Sequence, residues 1–165
     1  MADAINAMWA SKLGLSTPDP ELAQELLGLM LASKLDYTIF FRHLSEIPET
    51  IEPLKASFYA GSTEELDGKW ASWLQRWREL LQSQGDLDGA SVAMKRANPA
   101  ITWREWLVAP AYEQAREGDT TLIKELQQVF STPYQAPAAE LPRYDQLKPR
   151  EFFNAGGVSH YSCSS

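Results

Sequence analysis

The residue types that could carry chemistry are few in this chain and lie far apart. There is one cysteine, Cys163, and there are two histidines, His43 and His160. A zinc site needs about four ligands close together, which three such residues at these spacings do not supply. The glycines form no phosphate-binding loop of the G-x-G-x-x-G or G-x-x-x-x-G-K type, and no H-E-x-x-H, G-x-S-x-G, His-Arg-Asp or Asp-Phe-Gly motif occurs. The sequence therefore predicts no catalytic, cofactor-binding or metal-binding residue.

Two short patterns resemble parts of a site. Asp86-Leu87-Asp88-Gly89 matches the first positions of a calcium-binding loop, but the later ligands and the closing glutamate are missing, so a polar turn is favoured. His43 follows Phe40, Phe41 and Arg42 on a predicted aromatic helix. A partly buried, hydrogen-bonded histidine is favoured there over a residue that transfers protons.

A third pattern mixes aromatic and basic residues. Trp70, Trp73, Arg76, Trp77 and Arg78 have the composition of a surface on which nucleic-acid bases stack. The tryptophans, however, keep the helical spacing of the neighbouring leucines, and the chain is acidic overall. Core packing is therefore the favoured interpretation.

Cys163 allows two interpretations. It stands among serines close to the C-terminus, where an inert thiol on a frayed tail is the commoner outcome. An exposed thiol at the same place would be suited to redox exchange. We keep Cys163 as the redox candidate of this chain.

Helical periodicity dominates the sequence, and strand alternation is nearly absent. The predicted helices are, in order, about residues 4–13, a helix capped by Asp19, a helix from Asp36 to Pro48, residues 53–60, a long helix from a Ser62–Glu65 capping box to Gly85, residues 90–97, a helix from a Thr102–Glu105 capping box with a kink or break at Pro110, and a helix from Gly118-Asp119 to Phe130. The predicted fold class is all-α, a compact multi-helix bundle.

The character of the sequence changes after residue 131. Prolines recur, periodicity ends, and the last residues are Ser-Cys-Ser-Ser. We therefore predict a helical domain over residues 1–131 and an extended or disordered Pro-rich tail over residues 132–165.

Composition restricts the possible partners. The chain has 165 residues, a formal net charge of −7 and a pI near 4.8. Neutralising nucleic-acid phosphates or anionic membranes takes clustered Lys and Arg, so neither partner is expected. No apolar run approaches the roughly 20 residues that span a bilayer, and residues 1–4 do not resemble a signal peptide. With a single cysteine, the expected location is the cytoplasm.

Five segments match, in order and spacing, motifs of one protein family. They are Ala7–Leu15 with its K-L-G-L ending, Leu35–Leu44 with D-Y-T and F-R, Asn98–Ile101 continuing into Arg104–Asp119, Pro133-Tyr134, and Ser162–Ser165. Together they resemble the selenoprotein O-like (YdiU/SelO) protein adenylyltransferases. Some eukaryotic members carry selenocysteine at the position of Cys163. Glu105 and Pro110 depart from the family pattern.

The resemblance implies a kinase-like (pseudokinase) fold that transfers AMP from ATP to Ser, Thr or Tyr hydroxyls of proteins, with Mg or Mn. The family's glycine-rich loop, nucleotide-binding lysine, catalytic aspartate and metal ligands lie upstream of the matching segments. No residue of this chain corresponds to them, and none is carried over.

Two hypotheses follow. In the first, the chain is the C-terminal helical region of such an adenylyltransferase, inactive and without a cofactor by itself. Its partners are then the missing catalytic lobes and the protein substrates, and Cys163 couples redox state to activity. In the second, it is a free-standing helical interaction module without enzymatic activity. The resemblance places the protein in the cytoplasm of a bacterium or the mitochondrion of a eukaryote.

Overall fold

A computed structural model describes residues 1–135 and 144–153. This part of the chain is all-helical, as predicted, and its only paired extended residues are Leu35 and Phe58 in one isolated antiparallel bridge. The helices are α1 (Ala2–Leu13), α2 (Pro20–Ser33), α3 (Tyr37–Leu44), α4 (Glu52–Lys55), α5 (Glu64–Gln84), α6 (Leu87–Ala97), α7 (Glu105–Arg116), α8 (Thr121–Ser131) and a 3-10 helix, Arg150–Phe152.

The chain divides into two compact units, residues 1–99 and residues 100–165. The first contains α1 to α6, and the second contains α7, α8 and the 3-10 helix. The predicted boundary between residues 131 and 132 stays a prediction. In the described part of the predicted tail, Tyr144 is buried in the core of the second unit and Phe152 packs against that core.

Two predicted helix caps are confirmed and one is displaced. Asp19 accepts the N–H of Leu22 at 2.9 Å, and Asp36 accepts that of Ile39 at 3.0 Å. The α5 cap is Thr63, one residue later than the predicted Ser62. The Ser62 hydroxyl instead donates to the Asp67 carboxylate, so the predicted capping box at Ser62 is wrong.

Three helix boundaries also differ from prediction. The α3 helix ends at Leu44, before Pro48, and α4 is a single turn. The N-cap of α7 is Arg104, not Thr102. The α7 helix continues through Pro110, so of the kink or break expected there the break is absent. Buried residues on both sides of Pro110 pack in the core of the second unit, and that packing offsets the roughly 3 kcal/mol cost of an interior proline.

The core of the first unit is built around α5. Trp70, Trp73 and Trp77 are buried, as predicted, and each indole N–H has a partner on another helix. Trp70 donates to the Ser33 hydroxyl at 2.8 Å, Trp73 to the Leu22 carbonyl at 3.0 Å and Trp77 to the Leu13 carbonyl at 2.9 Å. The three indoles therefore fix the position of α5 against α1 and α2 through directional hydrogen bonds as well as through apolar contact.

Candidate functional site

The K-L-G-L segment forms the end of α1, and each of its residues has a structural task. Leu13 and Leu15 are buried in the core of the first unit. Gly14 has φ of +70°, and a Cβ there would lie 2.9 Å from Cγ of Met94. Only glycine meets both conditions without strain.

The remaining residue of that segment, Lys12, lies at the centre of a small polar and aromatic cluster. Its ammonium is 4.9 Å from the ring centroid of Tyr37 and 4.6 Å from that of Phe41. It donates to Oδ1 of Asn98 at 2.8 Å, while Nδ2 of Asn98 donates back to the Lys12 carbonyl at 2.9 Å. Three family segments that are distant in sequence therefore meet at one place, which we call the Lys12 cluster (Lys12, Tyr37, Phe41 and Asn98).

Burial shapes the electrostatics of the Lys12 cluster. Asn98 is fully buried and Lys12 is half-buried. Desolvation lowers the pKa of Lys12 below its ordinary value of 10.5, and it raises that of Tyr37 above 10.0. Cation–π attraction and the reciprocal hydrogen bonds hold the charged amine in this position. The cluster fastens the end of α1 to α3 and to the residue after α6.

Other residues of the D-Y-T and F-R segment also hold the first unit together. The Asp36 backbone N–H donates to the Ser57 carbonyl at 2.7 Å, and its carboxylate caps α3. The Arg42 guanidinium donates to the Lys95 carbonyl at 3.3 Å, near the end of α6. These contacts position helices and loops against one another.

In the second unit, the end of the Asn-Pro segment meets the Pro-Tyr segment. The backbone N–H groups of Ala100 and Ile101 both donate to the Pro133 carbonyl, at 2.8 and 3.1 Å. Arg104, the arginine of the family segment, donates to the Gln146 carbonyl at 2.8 Å. The segment around residue 100 is therefore fastened to the residues that follow α8.

Two of the residues that resemble parts of a site in sequence have structural partners. His43 is half-buried, and its Nδ1 lies 2.7 Å from the Pro53 carbonyl, which confirms the hydrogen-bonded interpretation. Asp86 accepts the N–H of Gly89 at 2.6 Å and caps α6. Cys163 lies outside the described residues, and its role stays a prediction.

One partly exposed ionic group adds to the polar contacts of the first unit. The Lys55 ammonium lies 2.7 Å from the Asp67 carboxylate and 2.8 Å from that of Glu52. Hydrogen bonds to these two carboxylates raise the pKa of Lys55, and the hydrogen bond from Lys55 lowers that of Asp67. Ion pairs of this kind at a surface contribute little to stability.

A triphosphate with its divalent cation needs clustered basic side chains and a set of carboxylate ligands. In residues 1–135 and 144–153, no group of three or more His, Cys, Asp or Glu side chains is arranged to hold a metal ion. The basic residues described above are engaged with carbonyls, carboxylates or aromatic rings. We therefore derive no catalytic step from the residues of this part of the chain.

Sequence reasoning does not anticipate the Lys12 cluster or the acceptors of the three indoles. Lys12 and Asn98 both belong to family segments, but they are 86 positions apart. Nothing in the local pattern of either residue indicates the other as its partner. One sequence feature could have indicated this pair. A lysine and an asparagine in apolar surroundings each need a hydrogen-bond partner.

The described residues thus form an all-helical structure, and the residues of the family segments named above make contacts within it. A sequence profile of the family described as "Protein adenylyltransferase SelO" matches residues 2–131. The chain belongs to this family. A relative from Rhizobium etli named Protein nucleotidyltransferase YdiU is 37% identical over 147 residues, covering 85% of this chain and 28% of the relative. One from Aromatoleum aromaticum with the same name is 31% identical over 167 residues, covering 96% of this chain and 32% of the relative.

The chain therefore spans about a third of the length of these relatives. None of the helices in the two described ranges combines the length and apolar character needed to cross a membrane.

Proposed function

We propose that this chain is the C-terminal helical region of a pseudokinase-fold protein adenylyltransferase and that it supports the catalytic lobes without being active itself. The family has the activity that its name states, and the catalytic motifs are absent from this sequence. The observation that carries the proposal is the Lys12 cluster, in which residues from three family segments are used to join helices. In the complete protein, ATP, Mg or Mn and protein substrates would bind to the other part.

The coding sequence upstream of Met1 offers the first test. An in-frame extension that encodes a glycine-rich loop and an Asp-Phe-Gly-like metal motif supports the proposal. A stop codon with an independent promoter contradicts it and supports a free-standing interaction module.

Labelled ATP offers the second test. We expect the 165-residue chain to transfer no AMP to protein substrates with Mg or Mn. A chimera in which this chain replaces the 147 matching residues of the Rhizobium relative should transfer AMP. Turnover by the isolated chain, or a folded but inactive chimera, contradicts the proposal.

We also propose that Cys163 makes activity sensitive to redox state in the complete protein. Replacing it with Ser in the chimera should remove the difference in AMP transfer between oxidised and reduced samples. An unchanged difference would show that the thiol has no such role. Cys163→Ala removes the same thiol without adding a hydroxyl, so it should give the same result as Cys163→Ser.

A further inference from the structure

The second half of α2 is apolar on every side, yet only one side of it is covered. Residues 26–32 are seven consecutive apolar residues, Leu-Leu-Gly-Leu-Met-Leu-Ala. A helix that is apolar all round is normally buried all round. In the first unit, Leu22 and Leu26 are fully buried, whereas Leu31 is 79% exposed and Leu27 is 40% exposed.

These two leucines share their side of the helix with Gly28 and Ala32, which are also exposed. We call these four residues the α2 face. Because each of them is three or four positions from another, they form one continuous strip along the helix. Burying apolar surface contributes about 25 cal/mol per Å², so a strip of this kind favours association.

Beside the α2 face, α2 and α5 border an open groove of about 840 Å³. Its less exposed lining includes Leu29, Leu66 and Trp73. Its exposed lining includes two ion pairs, Arg76 with Glu25 at 2.7 Å and Lys69 with Glu65 at 2.6 Å. An apolar centre flanked by paired charges is the composition of a protein–protein interface.

The length of the relatives indicates the occupant. More than two thirds of the Rhizobium and Aromatoleum proteins lies outside the region that this chain matches. Resting on the function proposed above, we infer that the α2 face and its groove dock against that remaining part in the full-length protein. The polypeptide that covers the strip is then predominantly apolar at the contact, because the ion pairs along the groove already satisfy one another.

Thiol labelling tests this inference directly. Leu31→Cys is made in a Cys163→Ser background, once in the isolated chain and once in the chimera with the Rhizobium relative. Val92→Cys is the matched control, because Val92 is a half-exposed apolar residue (50% exposed) on α6, away from the α2 face. A buried thiol reacts only when the structure opens, so its labelling rate reports burial.

We expect the thiol at position 31 to react at least about ten-fold more slowly in the chimera than in the isolated chain, while the rate at position 92 changes by less than about three-fold. Equal rates at position 31 in the two proteins overturn the inference. So does slow labelling in the isolated chain, because a second copy or another part of the same chain would then cover the α2 face; sedimentation velocity identifies which.

If the chimera does not fold, labelling is repeated on the isolated chain with and without the remaining part of the relative added in trans. Protection of position 31 alone supports the inference, and protection of neither position overturns it. The AMP-transfer assay reports on the proposed function separately. An active chimera with a freely reactive thiol at position 31 refutes the docking surface alone, and a protected but inactive chimera refutes the proposed function alone.

Discussion

The reciprocal pair of hydrogen bonds between Asn98 and Lys12 allows a quantitative test. The change is Asn98→Ala, which removes the side-chain amide from a fully buried position. One lost bond, from Nδ2 to the Lys12 carbonyl, joins neutral groups and contributes about 1 kcal/mol. The other, from the Lys12 ammonium to Oδ1, involves a charge but is half-exposed, so it contributes about 1–2 kcal/mol. We expect the free energy of unfolding of the first unit to fall by about 2–3 kcal/mol.

A double-mutant cycle isolates the charged bond. Lys12→Met keeps an apolar side chain against Tyr37 and Phe41 but removes the ammonium. The backbone carbonyl of residue 12 still accepts from Asn98 in this variant. Only the ammonium–Oδ1 bond is common to both substitutions, so we expect a coupling energy of about 1 kcal/mol.

The assay is equilibrium unfolding in urea followed by tryptophan fluorescence, because Trp70, Trp73 and Trp77 are buried in the first unit. The control is Val92→Ala, at a half-exposed position of α6, the helix that ends just before Asn98. It should change the free energy of unfolding by less than about 0.5 kcal/mol. If Asn98→Ala behaves like the control, or if the two substitutions are additive within about 0.3 kcal/mol, the Lys12 cluster does not stabilise the fold as we argue.

Three further predictions concern pH and packing. Because burial lowers the pKa of Lys12 below 10.5, the unfolded chain binds more protons than the folded chain just below that pH, and this group makes stability rise with pH there, whereas the raised pKa of Tyr37 makes stability fall as pH rises through about 10; Lys12→Met should therefore make the measured slope of the unfolding free energy against pH less positive just below pH 10, and an unchanged slope would contradict this. Trp77→Phe leaves the buried Leu13 carbonyl without its indole donor and should lower the unfolding free energy by about 1–3 kcal/mol in urea titrations, and an unchanged midpoint would contradict this. Tyr144→Ala empties a buried site and removes the 2.6 Å hydrogen bond to Glu125, so the free energy of unfolding of the second unit should fall by about 3–5 kcal/mol. Calorimetry should then show this unit unfolding at a lower temperature than in the unsubstituted chain, and an unshifted transition would contradict the prediction.

Features determined within three or four residues are predictable from the sequence. Asp19 and Asp36 cap helices because a short acceptor precedes the helix and reaches an N–H three positions on. The stripe of tryptophans and leucines on α5 predicts its buried side for the same reason, because helical spacing alone brings those residues together.

Features that depend on distant partners are not predictable in this way. Ser62 and Thr63 are equally good caps by composition, and the choice between them depends on Asp67, to which Ser62 donates. Pro110 by itself predicts a kink or break in α7, but residues distant in sequence, Leu126 and Tyr144, complete the core that keeps the helix continuous. The Lys12 cluster requires knowledge that α1, α3 and the end of α6 meet.

The motif residues of this chain are required by packing, which explains why the chain can be assigned to its family although we propose that catalysis belongs to the rest of the full-length protein. Gly14 is required by its positive φ angle and by the closeness of Met94. Asn98 is required because the ammonium and the backbone carbonyl of Lys12 both need hydrogen-bond partners there. Requirements of this kind arise from packing and hold whatever reaction the rest of the protein performs. Nucleotidyl transfer instead needs groups that remain free to meet a substrate. The motif side chains whose contacts we describe are already committed to one another, which agrees with our proposal that the reacting groups belong to the remaining part of the full-length protein.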